Sequence, residues 1–377
     1  MHFANLSFTV FMNKNLIILD ESQSFIQLEH KSKSEKNLAK GFLTVRANDG
    51  DMCCIVTLLS DFKKIYKNVK ITNNIRKIDN LCNDYKVDLL VYGHSPRNLS
   101  KIRKIHYFDK KYLFITECHV IAPWSYKPEI AFFDLIFTFE DIPNLREKII
   151  HINTFFAYCE NVKDKIDKYY AKNKINKLTL ISSYKFSLQK NQLYTKKNKL
   201  VQWYDENNAN FFDLYGFGWN KKPQNIGGSF LQRLLVKCIP TLFFYIPTKK
   251  IYKGILSRKH DVLSKYLFNI CFENATNIPG YITEKIFDSF ITGSIPIFSG
   301  NIDKSNIPKN TYIDFNSFDS IEEAHRYLIN LNEDEIKEYQ YNMKSYIKRE
   351  IDNDKIYSCK TMSNTVIDSI QKSNNII

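Results

Sequence analysis

Four stretches of the chain set polar or flexible residues directly after apolar, β-rich runs. Glu117 follows Tyr112 to Thr116, Ser182-Ser183 follow Leu178 to Ile181, Gly216-Phe217-Gly218 follow Phe211 to Tyr215, and Glu273-Asn274 follow Phe268 to Phe272. In open α/β sheets ligands collect at the carboxyl ends of strands, so these are the positions where chemistry would gather. A fifth stretch, Tyr281-Ile282-Thr283-Glu284-Lys285, enters a helix whose apolar face is Ile286, Phe287, Phe290 and Ile291 and which stops at Gly293. Thr283 is the expected N-cap. Lys285 then falls in the first turn, where the helix dipole disfavours a cation unless an anion sits beside it. A bound phosphate group would resolve that conflict; neutralisation by Glu284 on a solvated helix start is the plainer alternative.

These positions need a frame of alternating strands and helices, and the chain supplies one. Apolar runs recur at Leu16 to Leu19, Val87 to Tyr92, Tyr112 to Thr116, Leu135 to Thr138, Leu178 to Ser182, Phe211 to Tyr215, Phe268 to Phe272 and Ile295 to Phe298, separated by helical stretches. That alternation predicts an α/β fold with largely parallel sheets. The Lys-, Asp- and Asn-rich stretch Cys159 to Lys177 reads as a boundary between residues 1–164 and 174–350. Helical spacing then predicts Ile321 to Leu331, Glu333 to Ile351 and Tyr357 to Ile370, with 351–377 as a C-terminal helix and tail.

Composition narrows the class. The 377 residues are 44% hydrophobic and 14% aromatic, which excludes a disordered chain. The net charge of +14 favours a polyanionic neighbour, a phosphorylated ligand or an anionic membrane surface. No nucleic-acid motif accompanies the charge, so nucleic acid is not expected as a partner. Eight cysteines at 53, 54, 82, 118, 159, 238, 271 and 359 show no repeated short spacing and read as reduced, buried thiols. Neither CxxC nor HExxH occurs, so no metal is expected. Asp352-Asn353-Asp354 imitates a metal-binding DxD but reads as a solvated linker. No run reaches the length of a membrane span and the start is not a signal peptide, which predicts a cytoplasmic protein. Leu231 to Ile246 is the one stretch suited to docking on a bilayer without crossing it.

Tyr266 to Asn274, Tyr281 to Asp288 and Gly293-Ser294-Ile295-Pro296-Ile297 with Gly300 together resemble the signature of the α1,3/4-fucosyltransferase family, FEN…Y-[VI]-T-E-K…G-x-[VI]-P-[VI]. Weaker echoes run from about Val87: Phe114 to Cys118, Phe137-Thr138, Asp213 to Gly216, and Tyr252 to Gly254 with Lys259. The resemblance implies a GT-B fold, two Rossmann-like domains facing across a cleft, that moves fucose from GDP-fucose to a hydroxyl of an oligosaccharide or glycolipid acceptor with inversion and without metal. α1,3 linkage to GlcNAc or Glc is the expectation. Carried over, the family's donor-site residues fall on Asn274, Tyr281, Glu284 and Lys285, and its general base on Glu117. Lys197 stands where the family places a phosphate-binding arginine. Ser183, Gly216, Lys259 and Glu273 are further donor-loop candidates. A transferase for another GDP-sugar and a non-catalytic GDP- or glycan-binding relic stay open as alternatives, as does a Golgi lumen location should the source be eukaryotic.

Overall fold

The computed structural model describes residues 12–20, 53–78, 86–96, 99–104, 108–153, 162–226, 245–256, 258–303, 305–353 and 357–374, and singly Leu234 and Cys238. Two parallel sheets carry the fold. The first is built from β1 (Met12–Asp20), β2 (Tyr66–Thr72), β3 (Val87–Gly93), β4 (Phe108–Ile115), β5 (Leu135–Thr138) and β6 (Ile149–His151), in the order β2-β1-β3-β4-β5-β6. β7 (Ile175–Ile181), β9 (Phe212–Tyr215), β11 (Tyr266–Phe272), β12 (Ile295–Ser299) and β13 (Ile313–Asp314) form the second, in the order β13-β12-β11-β7-β9. A short ladder pairs β8 (Lys185–Phe186) with β10 (Gln224–Asn225).

Strands covered on both faces must be apolar on both faces, and β3, β11 and β12 are buried along their whole length. Their few polar residues are paired. Asp88 of β3 accepts from the Tyr66 hydroxyl at 2.9 Å, and Asn269 of β11 donates to Ser289 at 2.8 Å. In the second sheet the strand order reverses between β7 and β11, and the crevice at that reversal is flanked by Ser182-Ser183 and Glu273-Asn274.

Among the helices, α1 (Cys53–Ile65) lies on the first sheet and α2 (Leu99–Arg103) on its other face. The stretch expected to be a boundary contains a helix, α3 (Lys163–Tyr170), whose Ile166 and Tyr169 pack into the core of the second sheet. A cut at 164 would therefore divide α3, and the change of core falls before it. The second sheet also carries α4 (Tyr194–Asn207), α5 (Lys259–Leu263), α6 (Glu284–Thr292), α7 (Ile321–Asn330) and α8 (Glu333–Asp352). α6 ends at Gly293 with φ 70°, and a Cβ there would lie 3.2 Å from the Tyr170 ring.

The last helix, α9 (Cys359–Ser373), leaves that body. Met362, Val366, Ile367 and Ile370 join the core of the first sheet, and Cys359 is disulfide-bonded to Cys54 of α1. This corrects the expectation of reduced thiols throughout: a bridge 305 residues apart in sequence carries no local spacing, and only the packing of α9 on α1 brings the sulfurs together. Cys118 and Cys271 are buried free thiols, whereas free Cys238 is exposed. Among the described residues no helix is long and apolar enough to cross a membrane. Most of the bilayer-docking stretch from Leu231 lies outside the described residues. Asp352 ends α8 and pairs with Lys163; Asp354 is outside the described residues.

Candidate active site

The carboxyl ends of the two sheets meet through a small apolar cluster. Cys118, Val120, Ile121 and Phe139 come from the first half of the chain, and Tyr194, Ala275, Ile278 and Tyr281 from the second. The Tyr281 ring stacks on Phe139 at 5.3 Å between centroids. Around this cluster stand most of the residues singled out in sequence.

Glu117 sits two residues beyond β4. Its Oε2 accepts a 2.9 Å hydrogen bond from the Tyr281 hydroxyl, and its backbone carbonyl accepts from the Tyr126 hydroxyl. Burial pushes the carboxyl above the usual range, against the opposing pull of Lys185, the Tyr281 hydrogen bond and Lys285. It is thus an acid whose basicity is strengthened, with cations close by. The chain of contacts continues from the Tyr281 hydroxyl, which accepts from Asn274 Nδ2 at 3.3 Å, to Asn274 Oδ1, which accepts from Lys197 Nζ at 3.3 Å.

Lys197 is 3% exposed on the inner face of α4, its ammonium 5.1 Å from the centre of the Tyr194 ring. No carboxylate lies within ion-pair reach of it among the described residues. Burial, and then the neighbouring Lys285, hold its pKa well below the ordinary lysine value. A buried ammonium answered only by an amide oxygen is electrostatically incomplete, and an anion would complete it.

Lys285 is differently placed. Its Nζ lies 3.1 Å from Glu273 Oε2 and 2.6 Å from Thr283 Oγ1, with Glu284 farther off at 3.8 Å. Burial pulls this ammonium down, but Glu273 and Glu284 outweigh burial and hold it above the ordinary lysine range. Glu273 itself is fully buried and accepts from both the amide and the hydroxyl of Thr283. Thr283 occupies the N-cap position as expected but makes no side-chain cap: its hydroxyl donates to Glu273, and its oxygen accepts from Lys285 instead of from a backbone amide. The first amides of α6 are left without that intrinsic acceptor.

The remaining candidates divide. Gly216 is demanded by the fold: its φ is 135° and a Cβ would fall 2.0 Å from the Ser182 carbonyl oxygen. That pins β9 against the end of β7, next to half-buried Ser183. Lys259 is not brought to the cluster. Its ammonium is 2.6 Å from Asp288 on α6, which also pairs with His260. Three residues escaped sequence reading. Lys185 on β8 faces Glu117, Tyr194 presses against both Lys185 and Lys197, and Glu140, paired with exposed His119, follows β5 at the same edge. Lys185 and Tyr194 come from a polar stretch and a helix start with no apolar run to mark them, whereas Glu140 follows the apolar run of β5 and could have been found there. The arrangement can take up a proton at one carboxylate and hold a polyanion at two lysines and a helix start.

Residues 248–374 match the model of glycosyltransferase family 10 (fucosyltransferase), C-terminal domain. Over these residues the chain is similar to that family. They include Asn274, Tyr281, Glu284 and Lys285, while Glu117 and Lys197 lie before them. The chain is 37% identical over 75 residues to the α-(1,3)-fucosyltransferase FucT of Helicobacter pylori and 32% identical over 83 residues to an α-(1,4)-fucosyltransferase of Arabidopsis thaliana. Those alignments cover 19% and 22% of this chain and span 15% and 20% of the two relatives. The α,α-trehalose 6-phosphate synthase of Burkholderia multivorans superposes with a TM-score of 0.53 over 97% of this chain and 99% of its own, at 8% identity. That likeness concerns fold alone, and with the two parallel sheets it makes the architecture GT-B.

Proposed function

We propose that the chain is an inverting fucosyltransferase that moves fucose from GDP-fucose to a hydroxyl of an oligosaccharide or glycolipid, forming an α1,3 linkage to GlcNAc or Glc. The similarity to family 10 supports the donor class. The observation that carries the reaction is the run Glu117–Tyr281–Asn274–Lys197, which joins a carboxylate on one sheet to a buried lysine on the other that has no carboxylate partner among the described residues.

The roles follow from the chemistry. Glu117 takes the proton of the acceptor hydroxyl as its oxygen attacks C1 of fucose; the C1–O bond to the diphosphate breaks and its electron pair leaves with GDP. Lys197, Lys285 and the first amides of α6 meet the charge that gathers on the leaving diphosphate. We therefore assign no metal to the reaction. Asn274 and Tyr281 hold the donor in line, and Glu284, half-buried at the start of α6, accepts from ribose or fucose hydroxyls. The first sheet binds acceptor and the second binds donor. The net charge of +14 supports contact with an anionic membrane surface.

The test is transfer. Purified protein incubated with GDP-fucose and a glycan panel, with and without EDTA, should fucosylate GlcNAc- or Glc-containing glycans equally in both conditions. GDP-fucose left intact beside every acceptor, or consumption of a different GDP-sugar only, would overturn the reading.

A further inference from the structure

A buried phenol normally finds a hydrogen-bond partner, because leaving the hydroxyl dry and unmatched costs the full desolvation of that group. Tyr194 departs from this. Its side chain is 2% exposed, and its hydroxyl has no hydrogen-bond partner among the described residues.

The surroundings make this unlike a packing accident. Tyr194 is the first residue of α4, and that helix start is stitched to the end of β11. The Leu193 amide donates to the Asn274 carbonyl at 3.0 Å, Gln192 bridges to Ala275, and Gln192 Oε1 accepts from the Thr195 amide. The ring is therefore fixed against the donor strand. On its faces are Lys197 at 5.1 Å and Lys185 at 5.9 Å; in the same apolar cluster are Cys118, next to Glu117, and Tyr281. The ring thus packs in one cluster with Cys118, the neighbour of Glu117, and under the lysines of the second half of the chain. Burial, and behind it Glu117, Cys118 and Glu273, raise the pKa of the hydroxyl well above the ordinary value, so it stays a proton donor.

We propose that the Tyr194 hydroxyl is a substrate-binding group that donates a hydrogen bond to a hydroxyl oxygen of a sugar bound in the cleft. The inference rests on the reading of the cleft as a sugar-transfer site. Phosphate oxygens have Lys197, Lys285 and the helix start to meet them, whereas a neutral phenol that keeps its proton matches a neutral sugar hydroxyl. The sugar is either the one transferred or the one that receives it, and the two are separable by experiment.

Tyr194→Phe removes one oxygen and, in the empty protein, no hydrogen bond. Its melting temperature should equal or exceed that of the wild type, and GDP affinity by calorimetry should be unchanged. The transfer kcat/KM should fall about fivefold to tenfold, the value of one hydrogen bond. A matching loss of GDP-fucose affinity, with GDP affinity intact, assigns the bond to the transferred sugar; a rise confined to the acceptor KM assigns it to the acceptor. Unchanged kcat/KM, a lowered melting temperature, or equal losses for GDP and GDP-fucose would each overturn the proposal. A wild-type protein that binds a GDP-sugar but transfers no fucose overturns the reaction alone, and the comparison of that GDP-sugar with GDP in Tyr194→Phe then decides on Tyr194. If the wild type binds no GDP-sugar, both fall.

Discussion

The Tyr281 hydroxyl donates to Glu117 Oε2 at 2.9 Å across 164 residues of sequence, and this one bond joins the ends of the two sheets. Tyr281 is also the link to Asn274 and so to Lys197. The carboxylate that would accept a proton and the ammonium that would meet an anion are thereby held in one buried run, and neither end is marked by the sequence around the other.

Glu117→Gln keeps shape and accepts the Tyr281 hydrogen bond at the amide oxygen but takes no proton. Transfer should fall by about 10²–10⁴-fold, with kcat and kcat/KM lowered together and GDP affinity spared. Stability supplies a separate reading. A carboxyl raised by burial favours the folded state fully below its unfolded pKa, and that contribution is lost as pH rises through the folded value. Glu117→Gln should therefore melt at or above the wild type near neutral pH, and the gap should close in acid. For the wild type, the acid limb of the transfer profile should lie above the ordinary carboxylate range. Normal kcat in the variant would move the base elsewhere.

For Lys197 the sign is reversed. Its depressed pKa means that the unfolded chain binds the proton more tightly, so stability is full above the ordinary lysine value and declines as pH falls toward the folded value. Lys197→Met should raise the melting temperature near neutral pH while weakening GDP binding. Proton uptake on binding should make wild-type GDP affinity fall with rising pH, by up to about tenfold per pH unit above the folded pKa. Lys197→Arg, always charged, should flatten that dependence. A flat wild-type profile in calorimetry would show that Lys197 is already charged when empty.

What could be read in the sequence was what local rules govern. α6 shows its face in Ile286, Phe287, Phe290 and Ile291 and its stop in Gly293, and the structure places it at Glu284–Thr292. The buried strands β5 and β11 declare themselves as continuous apolar runs. β2 does not, because Tyr66–Thr72 is an edge strand with lysines and an asparagine facing outward. The site divides the same way. Lys285 and Glu273 were visible at a helix start and a strand end, but their pairing to each other, with Glu284 only the lesser partner, depends on how the loop between them closes. Tyr194, Lys185 and the Cys54–Cys359 bridge are products of tertiary packing.

That bridge gives a prediction of its own. It ties α9, the helix that returns from the second body, to α1 of the first. Cys54→Ser should lower stability by about 2–4 kcal/mol, and reductant should lower the wild type equally while leaving the variant unmoved. Denaturant curves with and without reductant measure this; identical wild-type curves would mean that the bond is not formed in solution.

Lys285 tests whether a residue serves fold and ligand together. Its ammonium answers Glu273, a fully buried carboxylate, so Lys285→Ala strands that charge. Removing one partner of such a pair costs on the order of 3–5 kcal/mol, and melting temperature should fall visibly. GDP binding should weaken as well, by about 1.5–3 kcal/mol, the worth of a charge-assisted hydrogen bond to phosphate. The two losses are separable. Glu273→Gln combined with Lys285→Ala leaves no stranded charge while keeping an acceptor for the Thr283 amide, so stability should recover toward the wild type. Affinity for GDP should not recover, since the missing cation faced the phosphate. Calorimetric titration of the double variant at a temperature where it is fully folded decides between them: restored stability with restored GDP affinity would make Lys285 a structural counter-ion only.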